Sequence, residues 1–220
     1  MYNNFMKFKY ARDALKFLIQ KYSIGEIHIP YYLCDVVRHA VFEVGAKPLF
    51  YHIDDNFLPI MEFSENDYIL YPNYFGICDS NADMLAKKYP RLILDNAHAC
   101  YAKPQGFATF DSERKFLETK FGANLYIGEE ENKILPDWNR RRKFLEFHKI
   151  LKDKNCLKIN LQSNSIPFCY PYLASSIEEA DNFVKAHNEL TIYRYWNELP
   201  KTFNEYKFYS RLVPIPLKND

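Results

Sequence analysis

The sequence predicts an α/β fold built on a mainly parallel sheet flanked by helices, with a small α+β part towards the C-terminal end. Three observations carry this. Apolar runs of strand length alternate with helix-period segments through the first 95 residues. The pattern changes over residues 129–136, which divides the chain into a first part, 1–130, and a second, 131–220. The 220 residues are 48% hydrophobic and 17% aromatic, enough for a sizeable core and too apolar for a disordered chain.

The elements follow in order. Ala11, Ala14, Leu15, Leu18, Ile19 and Tyr22 recur at the spacing of one face of an amphipathic helix. Glu26-Ile27-His28-Ile29 reads as a short strand stopped by Pro30. Leu33, Val36, Val37, Ala40, Val41 and Val44 repeat the helical spacing, and Gly45 stands where a C-terminal cap is expected. Pro48-Leu49-Phe50-Tyr51-His52-Ile53 and Tyr68-Ile69-Leu70-Tyr71 read as two more strands. Ser80 is placed as the cap of a helix carrying Ala82, Leu85, Ala86 and Tyr89, with Asp83 in its first turn and Pro90 after it. Arg91-Leu92-Ile93-Leu94 reads as a buried strand ending at Asp95. Ligands of parallel sheets collect beyond the carboxyl ends of the strands, so topology alone makes Asp95 a site candidate.

Beyond the break, Asp137 is placed as the cap of a basic helix running through Leu151. The segment Leu157-Lys158-Ile159 and a proline-flanked run over 166–172 follow. Ser176-Ile177-Glu178-Glu179 is a capping box opening a helix to about Leu190. No internal repeat or low-complexity tract interrupts this order.

Lys and Arg number 29 against 28 Asp and Glu, a net charge of +1. That balance argues against a strongly basic nucleic-acid binder and an acidic tail. No apolar stretch is long enough to cross a bilayer, and the first residues carry no secretory signal. Five scattered cysteines (Cys34, Cys78, Cys100, Cys156, Cys169) suit a reducing compartment better than a disulfide scaffold. A cytoplasmic protein with no nucleic-acid or membrane partner is the expectation. No glycine-rich phosphate loop of the Walker or dinucleotide type is present.

Three clusters bear chemistry: Leu92-Ile93-Leu94-Asp95-Asn96-Ala97-His98-Ala99, Thr109-Phe110-Asp111-Ser112-Glu113-Arg114-Lys115-Phe116 followed by Gly122-Ala123, and Tyr10-Ala11-Arg12-Asp13-Ala14-Leu15. Singly each has an ordinary structural reading. Asp95 serves as a strand-end cap, His98 as a partly buried histidine, Lys115 as a surface lysine, and Arg12 with Asp13 as an exposed helix pair. Asp95, His98 and Cys100 match no strong zinc spacing, so no metal is expected. Asn139-Arg140-Arg141-Arg142 reads as a solvated helix face.

In this order the clusters resemble the DegT/DnrJ/EryC1/StrS family of pyridoxal-phosphate-dependent sugar aminotransferases, of fold type I. Leu94 to Ala99 is similar to that family's aspartate strand end, and Thr109 to Phe116 to its lysine loop. Ile27 to Cys34 is similar to its strand-then-proline turn, and Tyr10 to Leu15 to the start of its phosphate helix. Pro167-Phe168, Tyr170-Pro171 and Trp196-Asn197-Glu198-Leu199-Pro200 continue the likeness. The resemblance implies pyridoxal 5'-phosphate as cofactor, which acts as an electron sink when bound to a lysine. It implies that Lys115 is that lysine and moves the substrate proton, with burial and Arg114 lowering its pKa. It implies that Asp95 keeps the pyridine nitrogen protonated, and that His98 lies near the phenolic oxygen. It assigns the phosphate to the helix start at Arg12 and Asp13 and to a loop hydroxyl, with Thr109 preferred over Ser112.

The resemblance further implies a homodimer acting on two small molecules. Glutamate or glutamine donates the amino group to a keto sugar, nucleotide-linked, for surface glycan biosynthesis. The sequence departs from the family pattern at Ala11, where a glycine opens the helix. It also departs at Cys34, where an aromatic ring stacks on the cofactor, leaving Tyr31 or Tyr32 as substitutes. No clear copy of the family's inter-subunit phosphate motif is present. These departures support an alternative: a degenerate member with a binding or scaffold role and no turnover.

Overall fold

The structure is a computed structural model and describes residues 5–117, 119, 121–132, 134–196 and 198–217. Asn197, one residue of the Trp196–Pro200 likeness, lies outside them. A seven-stranded sheet forms the centre: β1 (Phe5–Phe8), β2 (Glu26–Pro30), β3 (Lys47–Tyr51), β4 (Ile69–Pro72), β5 (Leu92–Asn96), β6 (Ala108–Asp111) and β7 (Ala123–Ile127). Their spatial order is β1-β7-β6-β5-β4-β2-β3. The pairs β2–β3, β2–β4, β4–β5 and β5–β6 are parallel, whereas β7 runs antiparallel to both β6 and β1. The predicted mainly parallel sheet is present, with β7 reversed within it.

The helices in this part are α1 (Ala11–Lys21), α2 (Asp35–Glu43) and α3 (Asp79–Lys88). Beyond β7 come α4 (Trp138–Leu151), β8 (Cys169–Leu173), α5 (Ile177–Ala186), α6 (Tyr206–Arg211) and β9 (Leu212–Pro216). β8 and β9 pair antiparallel as a separate two-stranded sheet. Among the described residues no helix is long and apolar enough to cross a membrane.

Strand parity decides which face each residue serves, because successive side chains point to opposite faces. Ile93, Ala108, Phe110 and Leu125 face α1 and α2, packing with Leu15, Leu18, Ile19, Val37 and Val41. Leu92, Leu94, Ile69 and Tyr71 face the other way, against Leu85, Phe144, Tyr170, Phe208 and Val213. This second cluster runs across the 130/131 boundary without a break. Burying one such Leu or Phe side chain stabilises the fold by roughly 1.5–3 kcal/mol.

Most helix ends lie where the sequence places them. Gly45 follows α2 with φ 78°. Asp137 caps α4 by accepting from the Asn139 amide at 3.1 Å, and Ser176 caps α5 by accepting from Glu179 at 3.0 Å. Two expectations are corrected. Ser80 lies inside α3, whose start is instead closed by Asn73, with its Oδ1 accepting from the Cys78 amide at 3.0 Å. α5 stops at Ala186 rather than near Leu190, where His187 folds back and its Nδ1 lies 2.8 Å from the Phe183 carbonyl.

Candidate active site

A cavity of about 140 Å³ opens at the carboxyl ends of β2, β4, β5 and β6, on the face covered by α1 and α2. It is lined by Arg12, Cys34, Asn73, Asp95, His98, Ser112, Arg114, Lys115 and Trp196, among others. The chain turns outward from β2 to β3 and returns to β4 on the opposite side of β2, so the cavity lies beside the point where strand order reverses. That is where α/β sheets bind ligands.

Asp95 shares its face with Ile93 and is 7% exposed. Its Oδ1 accepts from the Ala97 amide at 2.9 Å. Its other oxygen takes no hydrogen bond from the described residues. Burial pushes its pKa up to about 6, against the pull of the Ala97 amide and the Lys115 charge. A cationic ring nitrogen at the free oxygen would restore the carboxylate by direct pairing.

Lys115 closes the short 3₁₀ turn Glu113–Lys115 after β6. Its amide donates to the Ser112 carbonyl at 3.0 Å. Among the described residues its Nζ has no ion-pair or hydrogen-bond partner, and it lies 5.7 Å from the Phe168 ring centroid. Although the residue is partly exposed, loss of hydration lowers its pKa most, and Arg114 lowers it further; Asp95 and Cys34 pull the other way. The direction of the shift favours the neutral, nucleophilic amine.

His98 is 5% exposed. Phe168 stacks on it at 4.4 Å with 6° between planes, and Trp196 lies near-parallel at 5.7 Å. Burial, then the Lys115 charge, hold its pKa well below the usual value, so the imidazole is neutral. A neutral imidazole both donates and accepts one hydrogen bond.

Five of the seven expected residues therefore share the cavity: Asp95, His98, Lys115, Arg12 and Ser112. Two do not line it. Thr109 has the opposite parity from Ala108 and Phe110, so it points to the other face. It is 1% exposed, and its hydroxyl is occupied, donating to the Gln105 carbonyl and accepting from the Gln105 amide, both at 2.9 Å. The preference for Thr109 is reversed: Ser112 lines the cavity, 2% exposed, with no hydrogen bond to its hydroxyl from the described residues. Asp13 also departs. Its amide donates to the Tyr10 carbonyl at 3.0 Å, and its carboxylate pairs with Lys16 at 3.6 Å. Helix α1 has no side-chain cap, and its first amides, at Ala11 and Arg12, stand at the cavity.

Neither Tyr31 nor Tyr32 replaces the ring missing at Cys34. Tyr31 stacks on Phe50 at 5.1 Å and Tyr32 on Tyr74 at 5.8 Å, both outside the cavity lining. Trp196, from the C-terminal part, joins Tyr10 and Tyr74 as the aromatic residues lining the cavity. Asn73 was also missed as a site residue. It follows β4 directly, its amide donates to the Asp95 carbonyl at 3.0 Å, and the strand-end rule that singles out Asp95 applies equally to it.

The donor set suits a flat, phosphorylated, carbonyl-bearing heteroaromatic. Among the described residues a carboxylate keeps one oxygen open and a lysine has no partner, and a serine hydroxyl and an uncapped helix start share the lining with arginines.

No protein-family model and no curated protein matches the chain. Solved structures do. A DegT/DnrJ/EryC1/StrS aminotransferase from Brucella abortus superposes with a TM-score of 0.70 and 13% identity, over 96% of this chain and 80% of that one. PseC of Helicobacter pylori, an aminotransferase of pseudoaminic acid biosynthesis, gives 0.68 and 16%, over 96% and 81%. NtdA of Bacillus subtilis, solved with its cofactor PMP bound, gives 0.70 and 14%, over 96% and 68%. The chain thus has the fold-type I architecture of the DegT/DnrJ/EryC1/StrS aminotransferases.

Proposed function

We propose that the protein is a pyridoxal-phosphate-dependent aminotransferase acting on a keto sugar. The observation that carries the reading is the meeting, in one cavity, of a buried Asp95 with an open oxygen and a Lys115 amine that has no partner among the described residues. Bound there, the cofactor supplies an electron sink for carbanion chemistry at the amino-bearing carbon. Lys115 would hold it through its amine and, when that amine is free, would stand where it can take and return a proton at the substrate carbon. Asp95 pairs with the ring nitrogen and keeps it charged. Neutral His98 offers a hydrogen bond at the ring's phenolic oxygen. Ser112, Arg12 and the start of α1 take the phosphate, and Trp196 walls the ring.

Glutamate or glutamine is the amino donor in this reading, and a nucleotide-linked keto sugar for surface glycan synthesis is the acceptor. A homodimer in the cytoplasm is the proposed setting. Cys34 in place of a stacking ring favours a second reading, a cofactor-binding protein without turnover.

The test is loading with pyridoxal 5'-phosphate, followed by borohydride reduction and peptide mapping. Label on Lys115 and a visible absorbance band are expected, with both lost in Lys115→Ala. Glutamate or glutamine should then bleach the band as the amino group is transferred. A band on Lys115 that no amino donor changes would select the second reading. Label scattered over surface lysines would sink both.

A further inference from the structure

Arg12 and Arg114 come from distant points of the chain and converge on one ring. The Arg12 guanidinium carbon lies 4.2 Å from the centroid of Tyr10, and that of Arg114 lies 5.1 Å from it. Lys9 Nζ adds a third positive charge at 5.4 Å. Tyr10, Arg12 and Arg114 all line the cavity. Among the described residues, neither guanidinium has a carboxylate partner.

The neighbouring acids are turned elsewhere. Asp13 pairs with Lys16 at 3.6 Å. Glu113 accepts from Asn124 at 3.3 Å and pairs with Lys7 at 3.8 Å. Arg114 is exposed, but its backbone and stem are packed at Gly122. Its amide donates to the Gly122 carbonyl at 3.2 Å, and its stem lies so close to Gly122 that a Cβ there would come within 2.6 Å of Arg114 Cδ. Beside the pair, Ser112 is buried with no hydrogen bond to its hydroxyl from the described residues, and α1 begins without a side-chain cap. Cations gathered without a counter-ion repel, and the arrangement is relieved when a dianion enters.

We propose that Arg12 and Arg114, spaced by the Tyr10 ring, form a clamp for a phosphate dianion, and that Ser112 and the start of α1 complete it from one chain. Each guanidinium is oriented by its contact with the ring and keeps its N–H fork for oxygen. Arg114 is then a positioning residue, fixing the phosphate and with it the distance from the ring to Lys115. The clamp rests on the cofactor reading for the bearer of the phosphate; free phosphate shares the chemistry.

The test is titration of the protein and its Arg12→Gln, Arg114→Gln, double and Arg114→Lys variants with pyridoxal 5'-phosphate, pyridoxal and inorganic phosphate. Near-UV circular dichroism checks each fold. Each single glutamine variant should weaken pyridoxal 5'-phosphate binding about tenfold and the pair about a hundredfold, with pyridoxal binding changed far less. Arg114→Lys should fall between. Inorganic phosphate should raise the Tm of the wild type and leave the double variant unmoved. If wild type loads on Lys115 and Arg114→Gln binds the phosphorylated cofactor equally well, the clamp is overturned and the cofactor reading stands. If wild type does not load at all, the cofactor reading fails. The clamp then stands on phosphate protection that the double variant loses, and falls without it.

Discussion

Asp95 holds a charge that its surroundings disfavour until something pairs with it. Its carboxyl is raised from 3.8 to about 6 by burial. The folded state therefore binds this proton more tightly than the unfolded chain. The stabilisation is fully present below pH 3.8, is lost as pH rises through about 6, and is flat above that. A shift of about two units corresponds to about 3 kcal/mol. Asp95→Asn removes the charge and keeps an acceptor for the Ala97 amide. It should stabilise the cofactor-free protein by about 1–3 kcal/mol at pH 8 and by little below pH 4, measured by urea unfolding. It should also weaken cofactor loading; a variant less stable at pH 8 would contradict the account. Lys115 gives a second handle. The pH midpoint for borohydride trapping of pyridoxal should lie below that of a free lysine side chain, and Arg114→Gln should move it upward, since Arg114 is one of the charges lowering Lys115. A midpoint unmoved by that change would leave burial as the whole cause. Asp95, His98 and Lys115 were legible as candidates because each lies at or just past the carboxyl end of a strand, in a recognisable pattern. The hydroxyl was misplaced because parity along β6 cannot be set without knowing where β6 begins.

At the scale of elements, most helices were readable, whereas α6 and several strands were not. α1, α2, α4 and α5 carry an apolar stripe, an end signal or both, and local spacing fixes them. β1, β6, β7 and β9 are four or five residues long, and β6 is buried on every residue, so no alternation marks it. The reversal of β7 depends on pairing with both β1 and β6, which are far apart in sequence. Local signals that decide an element should also show in its stability. Ser176 accepts from the Glu179 amide, and Glu179 in turn takes the Ser175 amide at 2.8 Å. Ser176→Ala should cost about 1 kcal/mol in chemical denaturation and leave loading on Lys115 unchanged. A loss of loading at matched stability would mean that α5 shapes the cavity more directly than its position implies.

The whole molecule is tied across the change in pattern near residue 130. Phe57 packs on Phe208 at 4.7 Å, and the Tyr32 hydroxyl donates to the Tyr195 carbonyl at 2.9 Å. The fully buried Glu205 carboxylate accepts from the Ile53 amide at 2.8 Å and meets His52 Nδ1 at 3.0 Å. In the other direction, Arg140 of α4 donates to the Phe168 carbonyl at 2.9 Å, placing the ring that stacks on His98. Sequence periodicity separated 1–130 from 131–220 because it sees changes of pattern and not the packing across them. We read the two as structural parts sharing one core, and the site as needing both, since Trp196 and Phe168 come from the second. Cooperative unfolding is the consequence, because losing either part strips apolar contacts from the other. The chain has two tryptophans, Trp138 on the exposed face of α4 and Trp196 in the cavity. In Trp138→Phe, fluorescence therefore reports Trp196 alone, while far-UV circular dichroism reports the helices of both parts. The two urea transitions should coincide, and pyridoxal 5'-phosphate should shift both by the same amount, because a ligand of the native state stabilises everything that unfolds with it. A Trp196 transition at lower urea, with most of the dichroism intact, would instead make the second part a separately folding lid on the first.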